Sequence, residues 1–227
     1  MHDLLSISIL PVILTLLAYR AGALLQQKTK SPICNPILIA VLLVLGFLSL
    51  TGMELKTYQA GAAFLSWLMT PATVCLAISM YEQFQVLKKN TPVILAGVAA
   101  GAVSCVIFVL ALCYLFRFDR ALTLSLLPKY VTTAIGVPLC EMAGGIPSVT
   151  TLVILFTGIT GAVLGPMLCK LFRLEDELSR GVAFGTAGHV VATARASELS
   201  PLTGAVSSLS LVVAGLLTAV VFPLAVR

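Results

Sequence analysis

The chain has 227 residues, of which 59% are hydrophobic and only 10% charged, with a mean hydropathy of +1.08 and a formal net charge of +5. A soluble globular surface needs about 25% charged residues, so this composition excludes a soluble domain and puts the chain in a bilayer. The basic residues are scattered over short loops such as Arg20/Lys28/Lys30 and Lys88-Lys89, without a run and without interleaved aromatics, which argues against a nucleic-acid partner.

The first apolar segment, 4–25, carries Arg20 near one end, where a long side chain can snorkel to the headgroups. Its start, Met1-His2-Asp3, lacks the basic n-region of a cleavable signal peptide. Uncharged runs follow at 31–53, 57–81, 90–116, 142–169 and 199–226, each long enough for the roughly 20 residues that cross hydrocarbon. The run 57–81 contains Thr70-Pro71-Ala72-Thr73 at mid-depth and is expected to bend there. Two further segments are too interrupted to be simple spans. One is 121–140; the other is 179–199, which holds His189, Arg195 and Glu198.

No Gly/Ser linker or soluble stretch divides the chain, so 1–227 reads as a single membrane domain. Short matches recur at an offset close to 116 residues, Ser8-Ile9-Leu10-Pro11 against Ser125-Leu126-Leu127-Pro128 and Thr70 with Glu82 against Thr186 with Glu198. They divide the chain into candidate repeat halves 1–116 and 117–227. Eight plain crossings place six basic residues on one side and seven on the other, which the positive-inside rule does not favour. Making 57–81 and 179–199 re-entrant gives nine against four and an inverted repeat, but making only 121–140 re-entrant also gives nine against four. The expected fold is an all-α polytopic membrane protein of about six to eight transmembrane or re-entrant segments, with broken helices and an internal inverted repeat.

Lys129 is the residue that most needs an explanation. It lies between Pro128 and Pro138 in a run that is otherwise bilayer-like, where a charge costs several kcal/mol unless it is paired or hydrated. Each proline removes a backbone donor and forces a kink or break. A broken helix beside a buried cation suits an anion. If the stretch after Pro128 is helical, Thr132 and Thr133 share the face of Lys129. By the same spacing His189 groups with Thr186 and Thr193, and near-neutral titration makes His189, with Glu198, a candidate for proton coupling. The other reading of His189 is a buried neutral ring bonded to a backbone carbonyl; that of Arg195 is a pair with Glu198 at the membrane boundary. Asn35, before Pro36, either offers its amide to a substrate or caps a helix. The glycine sets 97/101 and 158/161/165 read as helix-packing stripes. Cys34, Cys75, Cys105, Cys113, Cys140 and Cys169 read as buried thiols, with no close pair of the kind a zinc or redox site needs. Nothing resembles an enzyme site, a nucleotide loop, a cofactor site or a metal cluster.

Asn35-Pro36, Pro71-Ala72-Thr73, Leu127-Pro128-Lys129 with Val131-Thr132-Thr133, Gly144-Gly145-Ile146-Pro147, Thr157-Gly158-Ile159-Thr160-Gly161-Ala162, and Gly185-Thr186-Ala187 with His189 and Thr193-Ala194-Arg195-Ala196-Ser197-Glu198 together resemble the LrgB/CidB family over nearly the whole chain. Two positions depart from the pattern, Tyr130 and Gly188, where serine is expected. The resemblance implies a multi-pass protein of the bacterial plasma membrane working beside a smaller LrgA/CidA-like membrane protein. It implies either a holin/antiholin-like regulator of murein hydrolase export and autolysis or a carrier of monocarboxylates such as glycolate, glycerate or pyruvate. The residues favour the carrier, because a holin has little use for Lys129, His189 and Arg195 in proline- and glycine-broken segments. A small monocarboxylate would bind at Lys129, Thr132, Thr133, Asn35, Thr186, His189, Thr193 and Arg195, and the compact chain is expected to dimerise.

Overall fold

Long apolar runs favour helices, and prolines, glycines and polar caps decide where each one ends. The computed structural model describes residues 2–29 and 36–225, which are helical apart from short turns and loops. The elements are α1 (His2–Thr29), α2 (Pro36–Thr51), α3 (Leu55–Gly61), α4 (Ala63–Trp67), α5 (Met69–Glu82), α6 (Phe84–Leu115), α7 (Arg120–Leu126), a single 3₁₀ turn (Leu127–Tyr130), α8 (Thr133–Ala143), α9 (Pro147–Leu171), α10 (Glu177–Leu199) and α11 (Pro201–Ala225). Among the described residues, Ile9–Thr29, Phe84–Leu115, Pro147–Leu171 and Pro201–Leu224 are long and apolar enough to cross a membrane. Pro36–Thr51 and Thr133–Ala143 are shorter apolar helices. At 1.5 Å per residue α6 is about 48 Å long, well beyond the roughly 30 Å of hydrocarbon, so the end bearing Lys88 and Lys89 can reach the headgroups.

The chain divides into two compact units, residues 1–75 and 76–227. In the first, α1 and α2 cross tightly at Gly22, where an added Cβ would lie 2.7 Å from the Pro36 carbonyl oxygen. The Thr15 hydroxyl meets the Tyr58 hydroxyl at 2.6 Å and ties α3 to α1. The run 57–81 is not one helix. It is interrupted at Ala62 and Leu68, ahead of Pro71, which sits in the first turn of α5, where a proline is tolerated. Cys75 on α5 is exposed, against the expectation of a buried thiol.

In the second unit, α6 and α11 share a core of Ile94, Val98, Ala205, Val206 and Ala214, against which Leu178 and Val182 of α10 pack. Close approach depends on glycine: a Cβ at position 181 would come within 2.5 Å of the Val206 Cβ. Helices α6, α8 and α9 end alike, with a residue in the left-handed conformation and the next amide turned back onto the helix. Gly144 does this after α8 (φ 78) and bonds Gly145 N–H to the Cys140 carbonyl, while Arg117 and Arg173 (φ 53 each) do it after α6 and α9. Asp176 caps α10, its carboxylate accepting from the Ser179 backbone N–H and hydroxyl at 2.8 Å each. The Ser179 amide and hydroxyl bonds hold the Asp176 carboxyl below its ordinary range.

Candidate functional site

Two helices of the second unit are broken, and each break has a local cause. Between α7 and α8, Pro128 takes non-helical angles (φ −81, ψ 20), and Val131 and Thr132 are extended, so the chain leaves one helix and starts another. The stump of α7 is held from α9. Ser125 accepts the Ile146 N–H on its hydroxyl at 2.7 Å, and its carbonyl accepts the Thr150 hydroxyl at 2.9 Å. Gly136 lets α8 come close to the break, since a Cβ there would stand 2.7 Å from Ile154 Cδ1 and 3.2 Å from the Pro128 carbonyl oxygen.

The second break is a single residue of α10, His189, with φ 43 and ψ −142. Such angles cost a non-glycine residue of order 1–3 kcal/mol, which the surroundings must repay. His189 Nε2 lies 2.8 Å from the Ile154 carbonyl oxygen. A carbonyl only accepts, so Nε2–H donates and a neutral ring has its free lone pair on Nδ1. The His189 carbonyl accepts the Thr193 hydroxyl at 2.8 Å, and that hydroxyl also meets the Ser207 hydroxyl of α11 at 2.8 Å. The ring fits only because α9 has glycine opposite it. A Cβ at Gly158 would be 2.5 Å from His189 Cε1, and one at Gly161 would be 3.1 Å from the Gly188 Cα.

Lys129, half-buried at the first break, lines two cavities. The smaller, about 290 Å³, is walled by Gly97, Gly101 and Cys105 of α6, Thr157 of α9, and Val182, Ala183, Thr186 and Ala187 of α10. The larger, about 510 Å³, runs along α9 and α10 past Thr157, Thr160, Gly188 and Ala192. Lys129, Thr157, Ala183 and Ala187 border both. The half of α10 that follows His189 begins beside the larger cavity, and the first amides of a helix favour an anion. Thr186 is 6% exposed, and its hydroxyl has no hydrogen-bond partner among the described residues. This arrangement can accept a small anion: one cation, one unpaired hydroxyl, a second threonine and otherwise apolar or glycine walls.

The expected site residues are therefore only partly brought together. Lys129 and Thr186 meet in one cavity. Thr132 and Thr133 do not border either cavity that Lys129 borders, because the chain between them and Lys129 is extended and the helical spacing does not apply. His189 and Thr193 do not border those cavities; they are bound into the break, His189 in the carbonyl-bonded arrangement. Arg195 pairs with Glu198 three residues on, also away from the cavities. Asn35 lies outside the described residues. Thr157 and Cys105 are the cavity residues that sequence reasoning passed over. Thr157 stood in the Thr-Gly-Ile-Thr-Gly motif as a candidate signal, whereas Cys105 had none.

The fold and site define an all-α multi-pass membrane protein with a cation held at a helix break. More specifically, the chain belongs to the LrgB-like family, whose model matches residues 15–227. It is similar to the "Uncharacterized protein YwbG" of Bacillus subtilis (strain 168), 34% identical over 212 residues that cover 93% of this chain and 94% of that protein. No solved structure matches.

Proposed function

We propose that the protein is a secondary carrier of small monocarboxylates, such as glycolate, glycerate or pyruvate, across the bacterial plasma membrane. The observation that carries this reading is Lys129, placed at a proline break and bordering a cavity of about 290 Å³ whose wall also includes Thr186, a residue with a buried, unpaired hydroxyl. A volume near that of ten waters suits a two- or three-carbon acid with a little hydration. The ammonium supplies a compact charge for the carboxylate, and Thr157 borders the same cavity. Tight bonding of His189 to α9 supports a structural duty for that residue.

Lys129→Gln is the decisive variant. Purified protein in liposomes, alone and with its LrgA-like neighbour, is expected to take up labelled glycolate, glycerate or pyruvate saturably, and the variant to lose about a hundredfold or more of the initial rate at low substrate. Unchanged uptake by the variant removes Lys129 from the site. Leakage of unrelated solutes by the wild type, with no saturable uptake of any acid, overturns the carrier in favour of a holin-like pore. Cross-linking in native membranes tests the smaller partner and the dimer.

A further inference from the structure

We infer that Thr186 reads the group on the substrate carbon next to the carboxylate, and that Gly101 positions it to do so; the inference rests on the carrier reading above.

Threonine hydroxyls in helices commonly return to the carbonyl four residues back. In this protein Thr91, Thr151, Thr160 and Thr218 all do so. Thr186 does not. Its oxygen is buried and without a partner, yet the residue borders the cavity that holds Lys129. The reason for its orientation is on α6. A Cβ built at Gly101 would lie 2.8 Å from Thr186 Cγ2 but 3.9 Å from Thr186 Oγ1. The methyl thus packs against the bare glycine and the hydroxyl is turned away from it. Gly97 allows the same closeness one turn earlier, where a Cβ would lie 3.0 Å from Val182 Cγ1.

A hydroxyl both donates and accepts, so it can pair with a 2-hydroxyl or a 2-oxo oxygen alike. With an unsubstituted acid such as acetate or propionate bound at Lys129, it stays buried and unpaired. The cost of such a group corresponds to roughly tenfold to a hundredfold in affinity. Discrimination of this kind comes from an unmet polar group rather than from fit, which is why one residue can carry it.

Cys105 borders the same cavity and provides a readout that does not depend on transport. Protein in liposomes is treated with N-ethylmaleimide, and modification of the Cys105 peptide is followed by mass spectrometry against increasing glycolate, pyruvate, acetate or propionate. In the wild type, the 2-substituted acids are expected to protect Cys105 at concentrations tenfold to a hundredfold lower than the unsubstituted ones. Thr186→Val should bring the two classes to within about twofold by weakening the substituted acids, and Thr186→Ser should keep the preference. Gly101→Ala should shrink the preference without abolishing protection. Combining Gly101→Ala with Thr186→Ser, which removes the methyl in the way, should restore it. A preference that survives in Thr186→Val, or a double variant no better than Gly101→Ala alone, overturns the assignment. Protection by all acids equally in the wild type overturns it while leaving the carrier intact. Absence of protection by any acid overturns both.

Discussion

The two helix breaks of the second unit handle the same difficulty in opposite ways. At Pro128 the chain opens over several residues and places a charge, Lys129, against open space. At His189 it turns on one residue whose ring is tied to the Ile154 carbonyl and whose own carbonyl accepts the Thr193 hydroxyl. A break that serves a ligand leaves polar groups unmet; one that serves the fold meets them. The Thr186 hydroxyl, three residues before His189, belongs by this criterion to the ligand side.

The contrast can be broken most severely at Gly158. Gly158→Ala places a methyl where His189 Cε1 stands, so either the ring leaves its carbonyl or α9 leaves α10. Overpacking alone costs about 1–3 kcal/mol, and the lost bond adds to it. Thermal unfolding in detergent should show a fall larger than for any variant at Lys129. At His189 itself, alanine loses the bond to Ile154 and keeps the unfavourable φ, whereas glycine loses the bond but adopts φ 43 freely. His189→Ala is therefore expected to lose about 2–3 kcal/mol and His189→Gly about 1 kcal/mol less, an order that would reverse if the residue were not in the left-handed region.

A smaller effect is expected at the start of α10. The Asp176 carboxyl is held below its ordinary value, so its contribution is fully present above the unfolded value near 3.9 and is lost as pH falls through the lower folded value. Unfolding of Asp176→Asn followed from pH 6 to pH 3 should converge with the wild type at the acid end. The smallest effect belongs to Arg195. Its pair with Glu198 is partly open to solvent, and Arg195→Ala should cost no more than about 0.5 kcal/mol and leave uptake unchanged. A large loss of uptake would return Arg195 to the site.

Much of the architecture was legible because bilayer chemistry is severe. Apolar runs at 4–25, 90–116, 142–169 and 199–226 marked helices long enough to span, whereas 31–53 yields only the 16-residue α2 among the described residues and 57–81 is broken into short helices. Lys129 drew notice because a charge in such a run is costly. The interruption of 57–81 was also expected, although it falls at Ala62 and Leu68 rather than at Pro71. The short match between Ser8-Ile9-Leu10-Pro11 and Ser125-Leu126-Leu127-Pro128 shows where local reading ends. Helix α1 continues through Pro11, and the second segment breaks at Pro128. The tetrapeptides carry similar residues; in the second, Ser125 is bonded to Ile146 at the start of α9 and to Thr150 within it, and Gly136 gives α8 access to the break. A proline permits a break; long-range partners determine whether it happens.

By itself, then, the sequence determined that this protein lives in a bilayer, that it is built of helices with breaks, and that a lysine lies in one of the interrupted apolar segments. Hydrophobicity and the cost of a buried charge act residue by residue and need no partner to be read. Only the tertiary structure decided that Thr157 and Thr186, rather than Thr132 and Thr133, share the cavity with Lys129, and that His189 is bound into the fold. Those outcomes depend on how closely α6 and α9 approach α10, a closeness that Gly97 and Gly101 of α6 and Gly158 and Gly161 of α9 permit.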